Sequence, residues 1–166
     1  MAKATTPPGA APNGPEPGDK APAFEMAADG GGDISLSSLK GQTFVLYFYP
    51  KDDTSGCTRE ALDFSGAKKK FEAIGVAIVG VSKDSVASHD KFKAKHNLKI
   101  TLAADPEVKT GEAYGVWTEK SMYGRKYMGM ERATFLIDSK GVIREVWRKV
   151  KVPGHVEAVL RAAKTL

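Results

Sequence analysis

The chain has 166 residues, enough for one domain with a single buried core and no need of disulfides or a structural metal. Its 42% apolar and 27% charged residues are ordinary for a globular protein, and no apolar run approaches the roughly 18 residues that span a membrane. The formal charge of +5 raises the question of nucleic acid, but the basic residues are scattered and their one run, residues 68–70, falls in a helical pattern; a solvated helix face explains it, and neither a nucleic-acid nor a membrane partner is expected. The single cysteine excludes an internal disulfide framework and a multi-cysteine metal site, and it fits a reducing compartment.

Residues 1–18 are rich in Pro, Gly, Ala and Thr without periodicity and read as a disordered tail, with one domain over residues 19–166. The tail lacks the apolar segment of a secretory signal and the arginines of a mitochondrial one, so the cytoplasm is the expected location. Residues 23–26 and 34–36, on either side of a glycine-rich turn, predict an N-terminal hairpin. A single helical turn at residues 37–41 follows, stopped by Gly41. Residues 44–49 are apolar at every position, the mark of a strand buried on both faces. Pro50 then closes a loop, Thr54 stands at a helix N-cap, and Ala61, Phe64, Ala67, Phe71 and Ile74 recur at helical intervals up to Gly75.

Residues 76–81 form a second fully apolar strand, which completes a βαβ unit with parallel neighbours. A helix over residues 85–96 is capped by Asp84 or Ser85 and turns Val86 and Phe92 inward. A third strand covers residues 100–103, and Pro106 opens a helix reaching Tyr114. Residues 122–130, punctuated by glycine and rich in aromatics, read as a loop. Residues 133–137 and 142–147 flank a hairpin turn, and Val156, Leu160 and Ala163 line a last helix after Pro153. This order predicts an α/β, thioredoxin-like fold: a mixed central sheet with helices on both faces and the N-terminal hairpin as an extension.

Cys57 falls in the first turn of the helix after Pro50, where free backbone N–H groups and the helix dipole favour an anion. An unassisted thiol is only a few per cent ionised at pH 7, and nearly complete ionisation needs roughly 3 kcal/mol of stabilisation. A helix dipole supplies about 0.3–1 kcal/mol, up to roughly 2, so a nearby cation is required.

Pro50-x-x-x-Thr54-x-x-Cys57 resembles the active-site motif of the peroxiredoxins, in particular the bacterioferritin comigratory protein or peroxiredoxin Q branch. Residues 18–24, 47–54, 114–129 and 131–138 are similar, in the same order, to that branch's entry segment, active-site approach, aromatic loop and arginine strand. The resemblance implies a thiol-dependent peroxidase acting on hydrogen peroxide and organic hydroperoxides, with no cofactor and no metal. It implies that Arg132 pairs with the Cys57 thiolate and the peroxide, that Thr54 holds the peroxide, that Pro50 limits water, and that Glu60 orients Arg132, a surface helix carboxylate being the other reading of Glu60. Trp117 and the neighbouring tyrosines would wall the pocket or pack the core. Asp52 and Asp53 read as solvated loop residues, and His89, His96 and His155 receive no role.

One departure bears on mechanism. Many members of this branch carry a second cysteine five residues after the first; here that position is Leu62, and residues 85–96 hold no cysteine either. Ser55 also stands where the branch often has proline. A one-cysteine cycle follows, in which Cys57 becomes a sulfenic acid and an external thiol (thioredoxin, glutaredoxin or a low-molecular-weight thiol) resolves it. A monomer is expected, with a dimer as the alternative. Two other classes remain: a thioredoxin-like redox-transfer protein, against which Thr54 occupies the place of the first cysteine of a Cys-x-x-Cys pair, and a holdase or redox-sensing protein.

Overall fold

The computed structural model describes residues 14–166. The tail expected over residues 1–18 lies outside the described residues as far as residue 13. Residues 14–18, however, are seated on the domain: Pro15 is buried, and the Gly18 N–H donates to the Ile143 carbonyl at 2.7 Å. The Gly18 and Ala21 N–H groups thus pair with residues 141–143 of the domain.

Among the described residues nine strands form: β1 (Glu25–Ala28), β2 (Asp33–Ser35), β3 (Thr43–Phe48), β4 (Val76–Ser82), β5 (Thr101–Ala104), β6 (Trp117–Met122), β7 (Arg125–Met130), β8 (Ala133–Ile137) and β9 (Ile143–Trp147). Four α-helices accompany them: α1 (Ser55–Ala73), α2 (Val86–His96), α3 (Lys109–Ala113) and α4 (His155–Lys164). Seven strands make one sheet in the order β2-β1-β5-β4-β3-β8-β9, with β3, β4 and β5 parallel and the others antiparallel to their neighbours. The predicted N-terminal hairpin joins this sheet through β1 and β5.

Period-2 alternation explains why residues 44–49, from Phe44 of β3 to Tyr49, are all apolar. Val45, Tyr47 and Tyr49 face a core built with Cys57, Ala61, Phe64 and Phe71 of α1, Phe92 of α2, and Val156 and Val159 of α4. Phe44, Leu46 and Phe48 face a second core with Phe24, Tyr114, Phe135 and Ile137. The sheet is thus covered on both faces, as a doubly buried strand requires.

Two expectations are corrected. Residues 122–130 are not a loop: β6 and β7 form a separate two-stranded antiparallel ribbon, from Trp117↔Met130 to Met122↔Arg125, turning at Tyr123-Gly124. The glycine and aromatic content that suggested a loop belongs to the turn and to a ribbon with little buried surface. Pro106 does not open α3, which starts at Lys109 after Val108 takes a left-handed φ of 53°. Of the two caps expected for α2, the structure uses Ser85, which accepts from the Ser88 N–H at 3.1 Å.

Candidate active site

Cys57 is delivered by the βα junction. β3 runs up the middle of the sheet, the chain leaves it through Pro50, and α1 begins at Ser55 with Thr54 at the N-cap position. Thr54 caps with its backbone only: its carbonyl accepts from Thr58 N–H at 2.8 Å, while its hydroxyl turns back and donates to the Lys51 carbonyl at 2.8 Å. Cys57 lies in the first turn, 2% exposed.

The cation arrives from β3's other neighbour. β8 pairs with β3 through Phe48↔Ala133, so Arg132, the residue before β8, projects over the start of α1. Its Nη2 lies 3.5 Å from Cys57 Sγ, and its Nη1 donates to Glu60 Oε1 at 2.7 Å. Gly56 makes room for this: a Cβ there would come within 3.1 Å of Arg132 Nη2. The flanking chain is fixed by Glu131, whose carboxylate accepts from Arg148 Nε at 2.7 Å and Nη2 at 2.9 Å and from the Lys149 N–H at 2.9 Å.

Glu60 has no solvent exposure, and its Oε2, with the Tyr47 hydroxyl, is a buried polar atom without a hydrogen-bond partner. Burial pushes the Glu60 carboxyl up to about 7, against the pull of Arg132. Arg132, though desolvation works against its charge, is held above its ordinary value by Cys57 and Glu60.

Two sequence readings fail here. Asp52 is not solvated: its side chain is buried, accepting from Tyr49 Oη at 2.6 Å, Ser88 Oγ at 2.8 Å and His89 Nδ1 at 2.7 Å. His89 therefore has a place in the molecule. Its Nε2 lies 2.8 Å from the Ala103 carbonyl, so both ring nitrogens face acceptors and both must carry protons. Burial opposes that charge, but the bonds to Asp52 and Ala103 outweigh it and hold His89 above its ordinary value. Desolvation of Asp52 is likewise outweighed, by His89, Tyr49 and Ser88, and its carboxyl is held below the usual range. Asp53, with a φ of 59°, pairs with Lys95 and His96 at 2.7 and 2.8 Å. Together these contacts tie the loop carrying Pro50 and Thr54 to α2. The signal was an Asp and a His separated by 37 residues, and nothing in their spacing marks them as partners.

His155 is buried and bonded to Thr134 Oγ1 at 2.7 Å; burial, then Arg132, pushes it down to about 4, so it stays neutral. The aromatics of residues 114–129 divide. Tyr114 is in the core and donates to the Pro22 carbonyl, whereas Tyr123 and Tyr127 are exposed. Lys120 reaches back from β6, its Nζ donating to the Met130 carbonyl; burial and then the charge of Arg132 hold its pKa down. Among the described residues, no helix is long and apolar enough to cross a membrane.

Residues 17–146 match the model of the AhpC/TSA family. A protein of Coxiella burnetii named for the Bcp peroxiredoxins is 51% identical over 87% of this chain and 96% of its own length. Peroxiredoxin Bcp of Bacillus subtilis is 49% identical over 91% of this chain and 96% of its own. Structures of peroxiredoxin Q (bacterioferritin comigratory protein) from Xanthomonas campestris superpose with a TM-score of 0.82 at 44% identity, covering 86% of this chain and 90% of theirs. One of them is described as a trapped intermediate/ligand complex bearing on alkyl peroxide reduction.

Proposed function

The chain belongs to the AhpC/TSA family as a thiol-dependent peroxidase of the Bcp, or peroxiredoxin Q, type, and on that premise we propose that Cys57 is the residue that attacks the peroxide. The observation that carries this is the 3.5 Å approach of Arg132 Nη2 to Cys57 Sγ, with Glu60 holding the same guanidinium from behind. It supplies the cation that the helix dipole alone could not replace.

In this reading the Cys57 thiolate attacks the terminal oxygen of a hydroperoxide. A sulfur–oxygen bond forms as the oxygen–oxygen bond breaks, sulfur is oxidised by two electrons to sulfenic acid, and the departing alkoxide or hydroxide takes a proton to leave as alcohol or water. Arg132 stabilises the thiolate and the charge growing on the departing oxygen, its planar fork suiting two adjacent oxygens. The Thr54 hydroxyl, donating to Lys51, keeps its lone pairs to accept the peroxide O–H. Pro50, without an N–H, limits water over the sulfur, and Glu60 orients Arg132.

Hydrogen peroxide and alkyl hydroperoxides are the proposed substrates. With Leu62 in place of a second cysteine, the sulfenic acid is resolved by an external thiol: thioredoxin, glutaredoxin or a small thiol. We place the enzyme in the cytoplasm, as a monomer, with catalysis in the domain from residue 19 onward.

Stopped-flow oxidation of wild type, Cys57→Ser and Arg132→Ala by hydrogen peroxide tests the assignment. Cys57→Ser should abolish peroxide consumption and Arg132→Ala should slow it by about two orders of magnitude; undiminished consumption by Cys57→Ser would refute it.

A further inference from the structure

Of the seven large apolar side chains exposed among the described residues, four are on or at the tip of the β6–β7 ribbon: Met122 (55%), Tyr123 (98%), Tyr127 (43%) and Met128 (51%). Among the described residues, the two strands of the ribbon pair only with each other. Its register places Lys120, Met122, Arg125 and Tyr127 on one face, with two cations and no carboxylate. Gly129 sits beneath: a Cβ there would meet Lys120 Cδ at 3.1 Å and Tyr127 Cε2 at 3.3 Å, so the lysine stem and the tyrosine ring lie across it. The Lys120 ammonium ends on the Met130 carbonyl, two residues from Arg132, close enough for the charges of Arg132 and Cys57 to act on it. The face therefore starts two residues from Arg132 and runs outward over tyrosine, methionine and arginine.

Resting on the peroxidase reading, we propose that this face is the docking platform for the reductant, and that the reductant is a protein dithiol whose reactive thiol is rimmed by acidic residues. Exposed tyrosine and methionine beside arginine make the kind of surface that binds a protein partner, and they offer nothing to a small thiol. The two cations set the complementary charge. Docked there, one thiol of the partner attacks the Cys57 sulfenic acid; a disulfide forms, the sulfur–oxygen bond breaks, and water leaves with the thiol proton. The partner's second thiol then attacks its own sulfur in that disulfide, releasing the Cys57 thiolate and leaving the partner oxidised.

The test separates the half-reactions in the full-length protein. Oxidation by hydrogen peroxide is followed by stopped flow, and turnover is measured with dithiothreitol and with thioredoxin or glutaredoxin kept reduced by their NADPH-driven systems. Arg125→Glu and Tyr127→Glu should each raise KM for the protein thiol about tenfold, while peroxide oxidation and dithiothreitol turnover stay within about twofold of wild type. Lys126→Glu, on the opposite face, should leave all three alone, and added salt should raise the wild-type KM but not that of Arg125→Glu. An unchanged KM in both face variants overturns the proposal. So does a parallel loss in all three measurements, or wild type reduced no faster by either protein thiol than by dithiothreitol. Failure of hydrogen peroxide to oxidise wild-type Cys57 would instead remove the peroxidase reading, and the docking face with it.

Discussion

Arg132 is shared between Cys57 and Glu60, one guanidinium nitrogen on the sulfur and another on the carboxylate. Only a fork with fixed geometry can serve both at once. Arg132→Lys should therefore slow Cys57 oxidation nearly as much as removal of the charge. The loss of one hydrogen bond to a charged group, about 1.5–3 kcal/mol, corresponds to roughly 10–150-fold in rate. Stopped-flow peroxide titration of the lysine variant checks this; retention of wild-type rate would mean that charge alone suffices.

Glu60 gives the site a pH signature. Its folded pKa is raised, from 4.5 to about 7, so the neutral form is favoured in the folded state. Its contribution to stability is fully present below the unfolded value and is lost as pH rises through the folded one. Glu60→Gln keeps an acceptor for Arg132 without that titration. Its stability relative to wild type should grow between pH 4.5 and 7, by roughly 2–3 kcal/mol, and then level off. Urea unfolding of both proteins across that range measures the difference, and a flat difference would contradict it.

The His89–Asp52 pair should give the loop a two-sided window. The stability from Asp52, whose folded pKa is lowered, is present above its unfolded value and fades as pH falls through the folded one. That from His89, whose folded pKa is raised, is present below about 6.5, the usual histidine value, and fades as pH rises through the folded one. Asp52→Asn or His89→Gln leaves the partner buried without its counter-charge and should cost about 3 kcal/mol. Thermal unfolding against pH, with nitrogen chemical shifts of His89 to verify the doubly protonated ring, tests the pair; a neutral ring at pH 7 would sink it.

Gly56→Ala sets two effects against each other. Alanine favours the helix by up to about 1 kcal/mol, but its Cβ presses on Arg132 Nη2, which Glu60 prevents from yielding freely. Peroxide oxidation should fall by about tenfold with the fold intact by circular dichroism. A variant that is both stable and fully active would show that the guanidinium moves aside.

Leu62 is on the exposed side of α1, 42% accessible, whereas Cys57 is on its buried side. Two residues five apart on a helix are about 8 Å apart at Cα, beyond the roughly 7 Å that a disulfide tolerates. Leu62→Cys should therefore convert the cycle to an internal disulfide only with loss of the first turns of α1. Non-reducing mass spectrometry and far-ultraviolet circular dichroism after one equivalent of peroxide would register both together; disulfide formation without helix loss would refute the coupling.

The central strands were legible because doubly buried strands are written as unbroken apolar runs, and residues 44–49 and 76–81, which hold most of β3 and β4, are such runs. The thiol position was legible from Thr54 and Cys57 at a helix start, but the cation was not: one arginine among scattered basic residues becomes special only through the β3–β8 register, so only family resemblance singled it out. The β6–β7 ribbon was missed because it contributes little to the core and so has no strict apolar alternation to read. Asp52 and His89 were misjudged for a related reason. Burial of polar groups is decided by partners far away in sequence, and a local reading defaults to solvent.

The pairing of β3 with β8 also orders events in time. Cys57 and Arg132 are 75 positions apart, and their meeting depends on a ladder closed by the eighth strand. A growing chain on the ribosome carries its cysteine long before it carries that strand. Until the ladder zips, the thiol has a helix end but no guanidinium, and on the role proposed for Arg132 it is then a sluggish target for oxidants. Reactivity is thus withheld during synthesis and granted only to a finished sheet.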